Sequence, residues 1–465
     1  MIALYDTLTK SKQKVSTDKR LTLYTCGPTV YLDPHIGNWR TFIFYDTLVR
    51  VLKLSGADVT HVLNITDVGH LVSDGDTGDD KMSKTAQSQR KTAWEVAEYY
   101  TAQFIKEMSE LNLLTPNKLP KATDHINQQI EMIQAIEERG FSYKLEDGIY
   151  FDTAQLPDYG KLAGGVKADE KFARINKNDQ KRNPEDFALW KFSPKGEKRD
   201  MEWESPWGLG FPGWHIECSA MAKEYLGDTI DIHAGGVDHI PVHHTNEIAQ
   251  SETANGQPFA KLWLHAEFMK VDGAKMSKSK ENFFTLADIK AHKFTALDFR
   301  YLVLQGHYRT ETNFTWDILQ HAANSLANLR HAYEKVFVAT DEPKDQTAEI
   351  VSLQGKFMEA LQNDLNTPAA LSVVSAVASI GANGLANASR QSYIEFFQYV
   401  DKALGLKIAE SASDITEEQK TLITERNLAK PSNDFELADK IRNDLLSDGI
   451  ELLDGPNGTT WQRKS

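Results

Sequence analysis

The chain has 465 residues, two of them cysteine, with 52 basic against 66 acidic side chains and a formal net charge of −14. That length implies several domains, and the 41% apolar content excludes a disordered polymer. Two cysteines exclude a disulfide framework. No run of about 18 apolar residues reads as a membrane span, and the opening MIALYDTLTKSKQKV lacks the pattern of a signal peptide. A cytoplasmic protein with no membrane partner is expected. Net acidity disfavours a nucleic-acid partner, but charge acts locally. Residues 171–199 hold nine basic side chains against four acidic, and residues 10–20 hold five against one. Charge therefore permits an RNA partner without predicting one.

The first elements read as strand, helix, strand. Residues 21–26 (LTLYTC) are short and apolar, 38–54 carry Phe42, Tyr45, Leu48, Val49 and Leu52 at helical spacing, and 59–65 (VTHVLNI) return as a strand. Such a βαβ unit places its site at the carboxyl ends of the strands. A helix follows over 92–114, with Trp94, Ala97, Thr101, Phe104, Met108 and Leu111 predicted on one face. Residues 116–200 are mixed and charged, and read as an insertion between two halves of one nucleotide-binding domain. The second half resumes near Trp203, with strands predicted at 230–233 and 263–271. Beyond Trp316, Leu319, Ala322, Leu326, Leu329, Tyr333 and Val336 mark an amphipathic helix. After the polar linker 339–347 come further helices to about 406, then a helix with Phe435, Ala438, Ile441 and Leu445, and a β-like tail over 450–461.

Three groups of residues carry chemistry. Pro34-His35-Ile36-Gly37-Asn38 stands where a loop enters a helix, whose free N–H groups and positive dipole end suit an anion. Gly37 admits a ligand close to the backbone, and His35 and Asn38 offer N–H donors. Lys275-Met276-Ser277-Lys278-Ser279 is a cationic loop able to close over a polyphosphate and stabilise developing charge. No Walker A sequence is present. The third group contains Cys26, Cys218 and the i, i+4 pair His243 and Glu247, all of which suit zinc. From the residues alone, buried apolar thiols remain open, as does the choice of His243 over His244, His239 or His233.

Taken together, LYTCGPTVY (23–31), PHIGN, NITD (64–67), RNPEDFALWK (182–191), SPWGLGFPGWHIECSAM (205–221), HAGGVDHIPVHHTNEIAQSE (233–252), KMSKS, GHYR (306–309) and DGPNGTTW (454–461) resemble the cysteinyl-tRNA synthetases, a class I aminoacyl-tRNA ligase family. The likeness is collinear over essentially the whole chain. It implies an α/β fold: a Rossmann-type parallel-sheet catalytic domain with an insertion, an α-helical bundle and a small C-terminal anticodon-binding domain. On that frame residues 1–115 are the first catalytic half, 116–200 the connective insertion and 201–250 the second half. Residues 251–315 form a stem-contact region with the KMSKS loop, 316–406 the bundle and 407–465 the anticodon-binding domain.

The resemblance implies ATP-dependent activation of L-cysteine to cysteinyl-adenylate and transfer to the 3′ end of tRNA(Cys). It assigns one zinc ion to Cys26, Cys218, His243 and Glu247, with Mg²⁺ accompanying ATP. Catalysis falls to His35, Asn38, Lys275 and Lys278; ATP binding to His35, Gly37, Asn38, Gly235, Gly236, Asp238 and Lys278; and the cysteine pocket to Thr66 and Trp214. Zinc answers a physical need. A hydrophobic pocket rejects a near-isostere such as serine by only about 10², whereas a metal that ligates the substrate thiolate prefers sulfur. A monomer is expected. Three positions depart from the family pattern: Asn38 replaces the second histidine of the first signature, Lys280-Glu281-Asn282 follows KMSKS, and Val68-Gly69-His70-Leu71 follows NITD. Two other functions share part of this pattern, a cysteine ligase acting on an amino sugar and a non-catalytic synthetase-like tRNA-binding regulator.

Overall fold

The computed structural model describes residues 1–69, 81–164, 180–194, 196, 199–276, 282–338, 344–410, 412–455 and 458–463. The chain divides into two compact units. The first comprises Met1–Ala296, Tyr308–Phe314 and Gln362–Leu365, and the second Leu297–His307, Thr315–Leu361 and Asn366–Ser465. No helix among the described residues is long and apolar enough to cross a membrane.

The first unit opens with an antiparallel ribbon, β1 (Ile2–Asp6) and β2 (Ser11–Val15). Next come β3 (Arg20–Thr25), α1 (Ile36–Leu54) and β4 (Asp58–Leu63), the expected βαβ unit, with β3 and β4 parallel. Helices α2 (Lys81–Gln89), α3 (Ala93–Glu110) and α4 (Ile126–Glu138) lead to an antiparallel sheet. Its strands are β5 (Ser142–Leu145), β6 (Gly148–Phe151), β7 (Phe187–Phe192) and β8 (Gly210–Pro212), so the sheet of the expected insertion closes beyond residue 200.

Then follow α5 (Trp214–Leu226), β9 (Ile232–Gly236), α6 (His243–Asn255) and β10 (Trp263–Ala266). The central sheet has order β10-β9-β3-β4, all parallel. The strand expected over 263–271 is two strands, because the chain leaves this sheet at Glu267. β11 (Met269–Val271) instead pairs with β12 (Ala274–Lys275) and β13 (Thr312–Phe314), and α7 (Leu286–Ala291) lies between them in sequence.

The core of the parallel sheet holds Tyr24, Val62, Cys218, Met221, Ile230 and Trp263. Helix α3 starts at a Thr92–Glu95 capping box. Ala97, Thr101, Phe104, Met108 and Leu111 are buried as predicted, but Trp94 is exposed and its indole N–H donates to the Asp200 carbonyl at 3.0 Å. Trp94 stands at the border of the buried face, beside Ala93 and Val96 of the same turn, which are buried.

In the second unit, α8 (Ala296–Leu304, all but its first residue), α9 (Trp316–Glu334), α10 (Thr347–Gln362), α11 (Thr367–Ala382) and α12 (Arg390–Leu404) form a bundle. Leu319, Leu326, Phe357, Val374, Tyr393 and Phe397 are buried there. Two helices, α13 (Glu417–Ala429) and α14 (Phe435–Ser447), and the hairpin β14 (Ile450–Gly455) and β15 (Gly458–Arg463) complete the chain. Ala438, Ile441 and Leu445 are buried, whereas Phe435, expected on their face, stays exposed at the first position of α14. Arg426 grips Asp454 through both terminal nitrogens at 2.9 Å, which ties the hairpin to α13.

Helix α1 carries the His35–Asn38 region and is fastened to α3 directly behind it. The Trp39 indole stacks on Phe104 at 5.2 Å and donates its N–H to Glu107 at 3.0 Å. Burial, reinforced by the Asp33 charge and opposed by Lys290, pushes the Glu107 carboxyl up to about 7. The unfolded value is about 4.3. Glu107 therefore contributes stability that is complete below about pH 4 and is lost as pH rises through about 7. Glu107→Gln should flatten that part of the profile. Thermal unfolding of both proteins from pH 4.5 to 8 checks it, and parallel profiles would exclude Glu107 as the source.

Candidate metal centre and nucleotide site

Functional residues gather at the carboxyl ends of the parallel strands. Cys26 follows β3, Asn64 to Thr66 follow β4, and Gly235 and Gly236 end β9. The turn after Cys26 lies hard against the end of β4. A Cβ on Gly27 would sit 1.6 Å from the Asn64 carbonyl oxygen, so no residue with a side chain fits. Gly27 N–H donates to the Asn64 side chain at 2.8 Å, and the Asn64 amide donates to the Thr66 hydroxyl at 2.9 Å. Thr66 in turn pairs through its backbone with Pro28 and Val30. This lattice holds Cys26 facing α5 and α6.

Cys26, Cys218 from α5, and His243 and Glu247 from successive turns of α6 are all buried, with donor atoms within 4.8 Å of one another. His243 Nε2 lies 2.8 Å from Glu247 Oε1, which lies 3.9 Å from Cys26 Sγ. Tetrahedral zinc with bonds of about 2.0–2.3 Å holds its donors about 3.3–3.8 Å apart, so the set fits the ion with small adjustments. The electrostatics agree. Burial opposes charge on Glu247, yet His233 and His243 hold its carboxyl well below the usual range. Burial likewise opposes charge on His243, but Glu247 and Cys218 push it up to about 10. The contact with Cys26 lowers the Cys218 thiol, while burial, Cys218 and Glu247 raise Cys26. A buried carboxylate and a sulfur of lowered pKa balanced only by imidazoles form a place for a divalent cation.

Around these four stands a ring of histidines, of which the sequence offers His233, His239 and His244 only as alternatives to His243 and does not mark His265 or His215 as candidates. Glu247 Oε2 meets His233 Nε2 at 2.5 Å, His243 Nδ1 meets His215 Nδ1 at 2.9 Å, and Cys26 Sγ meets His244 Nε2 at 3.2 Å. His244 continues to His265 at 2.8 Å. Burial and the neighbouring imidazoles push His244 and His265 well below the ordinary value, so both are neutral. Among the 14 histidines of the chain, His215, His233, His239, His243, His244 and His265 converge here. For His215 and His265 the available sequence signal is the density of histidines between residues 215 and 265. A second donor set, Cys26, His233, His244 and Glu247, meets the same distance limit. The set with His243 is favoured because metal-bound imidazoles hold their other nitrogen on a partner. His243 does so through His215, whereas His233 Nδ1 has no hydrogen-bond partner among the described residues. The Trp214 ring lies 4.8 Å from that of His243, at the rim of the set.

His35 is the N-cap of α1. Its Nδ1 accepts the Asn38 N–H at 3.1 Å, and its own N–H donates to the Asn38 side-chain oxygen at 3.1 Å. Because Nδ1 accepts, the ring proton of neutral His35 resides on Nε2. Asn38 uses its oxygen in the cap and keeps its NH₂ as donor. The asparagine that departs from the family pattern therefore completes a capping box.

Gly37 lies under Met276: an added Cβ would meet the methionine methyl at 2.4 Å. His35 bridges to Thr285 and presents its ring to Phe283 at 5.1 Å, and Ile36 N–H donates to the Phe284 carbonyl at 2.9 Å. Both flanks of the KMSKS segment thus touch the first signature. Lys275 is exposed at the end of β12, its ammonium 4.8 Å above Phe268. Lys278 lies outside the described residues. Gly235 and Gly236 make a ledge without side chains, since a Cβ on Gly235 would strike His244 at 2.4 Å and one on Gly236 would meet Asp238 at 2.3 Å. Asp238 is exposed beside that ledge.

Residues 12–324 match the family described as tRNA synthetases class I (C) catalytic domain, and residues 356–408 match the DALR domain. The second match falls on α10 to α12, within the stretch expected as the bundle. The cysteine–tRNA ligase of Treponema denticola is 40% identical over 99% of each chain. Cysteine–tRNA ligase 1 of Burkholderia lata is 42% identical over 98% of this chain and 96% of its own. Among solved structures, a Mycobacterium tuberculosis methionyl-tRNA synthetase in complex with methionyl-adenylate superposes with a TM-score of 0.61 at 13% identity, over 84% of this chain and 93% of the other. At that identity the likeness shows the fold alone.

The two donor sets separate by mutation. His243→Ala should abolish stoichiometric zinc, and His244→Ala should retain it with weaker affinity. Metal content by atomic absorption decides, and the reverse pattern would assign the second set.

Proposed function

The chain belongs to the class I cysteinyl-tRNA synthetase family, and from that membership we propose that it joins L-cysteine to the 3′ end of tRNA(Cys) with cleavage of ATP to AMP and pyrophosphate. The observation that carries this reading is the buried convergence of Cys26, Cys218, His243 and Glu247 at the strand ends that also bear the nucleotide residues. Relatives named as cysteine–tRNA ligases align over nearly the whole chain, and a DALR domain follows the catalytic match. Both favour tRNA over an amino sugar as the acceptor. Residues 407–465 are assigned to the anticodon.

No protein nucleophile is needed. The cysteine carboxylate attacks the α-phosphate of ATP, pyrophosphate leaves, and a ribose hydroxyl of the terminal adenosine then displaces AMP. The protein supplies position and charge. His35 Nε2–H, the Asn38 NH₂ and the amino end of α1 hold phosphate oxygens, while Gly37 lets them approach the backbone. Lys275 and Lys278 neutralise the departing pyrophosphate, and Mg²⁺ enters with ATP. The ledge at Gly235 and Gly236, with Asp238, borders the adenosine. Thr66 and Trp214 line the cysteine pocket. Cys26, Cys218, His243 and Glu247 would hold zinc, which would supply a borderline-soft Lewis acid with a preference for a thiolate over a hydroxyl.

ATP–pyrophosphate exchange with cysteine and serine tests this reading. Cysteine should support exchange, serine should be rejected by well over the 10² or so that a hydrophobic pocket achieves, and chelation should abolish the reaction. Serine exchange at a comparable rate would refute zinc-based selection. Lys278→Ala should slow exchange by about 10² or more with unchanged circular dichroism, and an unaltered rate would remove Lys278 from catalysis.

A further inference from the structure

A file of hydrogen bonds leaves the candidate metal centre towards the β1–β2 ribbon, where none of the proposed chemistry takes place. His244 Nε2 lies 3.2 Å from Cys26 Sγ, His244 Nδ1 lies 2.8 Å from His265 Nε2, and His265 Nδ1 lies 2.7 Å from Thr7 Oγ1. Both imidazoles are buried. Thr7 is held from its backbone. Its N–H donates to the Trp263 carbonyl at 2.8 Å. The Asp6 carboxylate beside it accepts the N–H groups of Trp263 at 2.9 Å, Leu8 at 3.3 Å and Thr9 at 2.9 Å. The hydroxyl at the far end of the file is therefore fixed in place.

A neutral imidazole carries one N–H, so two imidazoles in series must point their protons the same way. When Cys26 is a thiol, its S–H can donate to His244, and the file ends with His265 Nδ1–H donating to Thr7. When Cys26 is a thiolate, as a metal ligand must be, it only accepts. His244 Nε2–H then donates to the sulfur, His265 Nε2–H donates to His244, and His265 Nδ1 becomes an acceptor in need of a donor. A threonine hydroxyl serves in either direction, whereas a methyl group serves in neither.

We infer that Thr7 is a positioning residue of the metal centre: through His265 and His244, its hydroxyl keeps an N–H donor aimed at the Cys26 thiolate and holds that sulfur in place as a ligand. The inference rests on the zinc reading above and adds a residue well outside the signature strings.

The test uses full-length protein loaded with zinc or cobalt, in the wild type and in Thr7→Val, Thr7→Ala and Thr7→Ser. Zinc retention is measured against a chelator series, and the sulfur-to-cobalt charge-transfer band is recorded. Loss of an outer-shell partner costs about 10–100-fold in metal affinity. Thr7→Val and Thr7→Ala should therefore bind zinc about tenfold more weakly and shift the cobalt band, while Thr7→Ser should match the wild type. A role in packing alone would lower the melting temperature and leave the band in place. Wild-type affinity and band in Thr7→Val, or a Thr7→Ser as weak as Thr7→Val, would overturn the inference and leave the zinc reading standing. A wild type with no cobalt–thiolate band would overturn both.

Discussion

A carboxylate sunk in a dry interior governs the catalytic unit. Glu247 is fully buried on α6, and His233 and His243 against its two oxygens hold its carboxyl well below the usual range. Isolated, such a charge is prohibitively costly, and it persists only when paired and hydrogen-bonded on every side. Both carboxylate oxygens are accordingly engaged, Oε2 by His233 and Oε1 by His243, and His243 is in turn held by His215. The packing of α5 and α6 onto the parallel sheet is thus tied to one electrostatic requirement. The two sulfurs at the same point complete a donor set that could hold a metal ion.

Close backbone approach is the second constraint, and glycine permits it at two places with different consequences. At Gly27 the absent side chain lets the turn after β3 lie on the Asn64 carbonyl, which places Cys26 beside the metal set. At Gly37 it leaves room for the methyl of Met276, so the strand end that leads into the KMSKS segment rests on the N-terminus of α1. The capping box at His35 and Asn38 gives the same helix end a defined donor. Because one ring nitrogen accepts a backbone N–H, the other is committed to donating.

Pattern reading and structure diverge at particular residues. Trp94 and Phe435 both obey helical periodicity, yet each is exposed, although Ala93 beside Trp94 is buried. Residues 263–271 read as one strand because both halves are apolar, but the chain changes sheets at Glu267 and Phe268. Hydrophobic pattern reports that a residue is suited to burial. Whether a neighbour arrives to bury it depends on elements far away in sequence.

The sequence by itself determined the βαβ start, the two signature strings, the i, i+4 spacing of His243 and Glu247 and, through family resemblance, the residue types of the chemistry as a set. These are local periodicities or contiguous strings, and both survive in one dimension. The tertiary structure alone decided that Cys26 and Cys218 meet α6, that His243 has its second nitrogen held while His233 does not, and that His265 and Thr7 stand behind His244. Those relations join residues up to 258 positions apart. They exist because parallel strands bring distant segments to one sheet edge, and no spacing rule along the chain encodes which atoms then come within hydrogen-bonding reach.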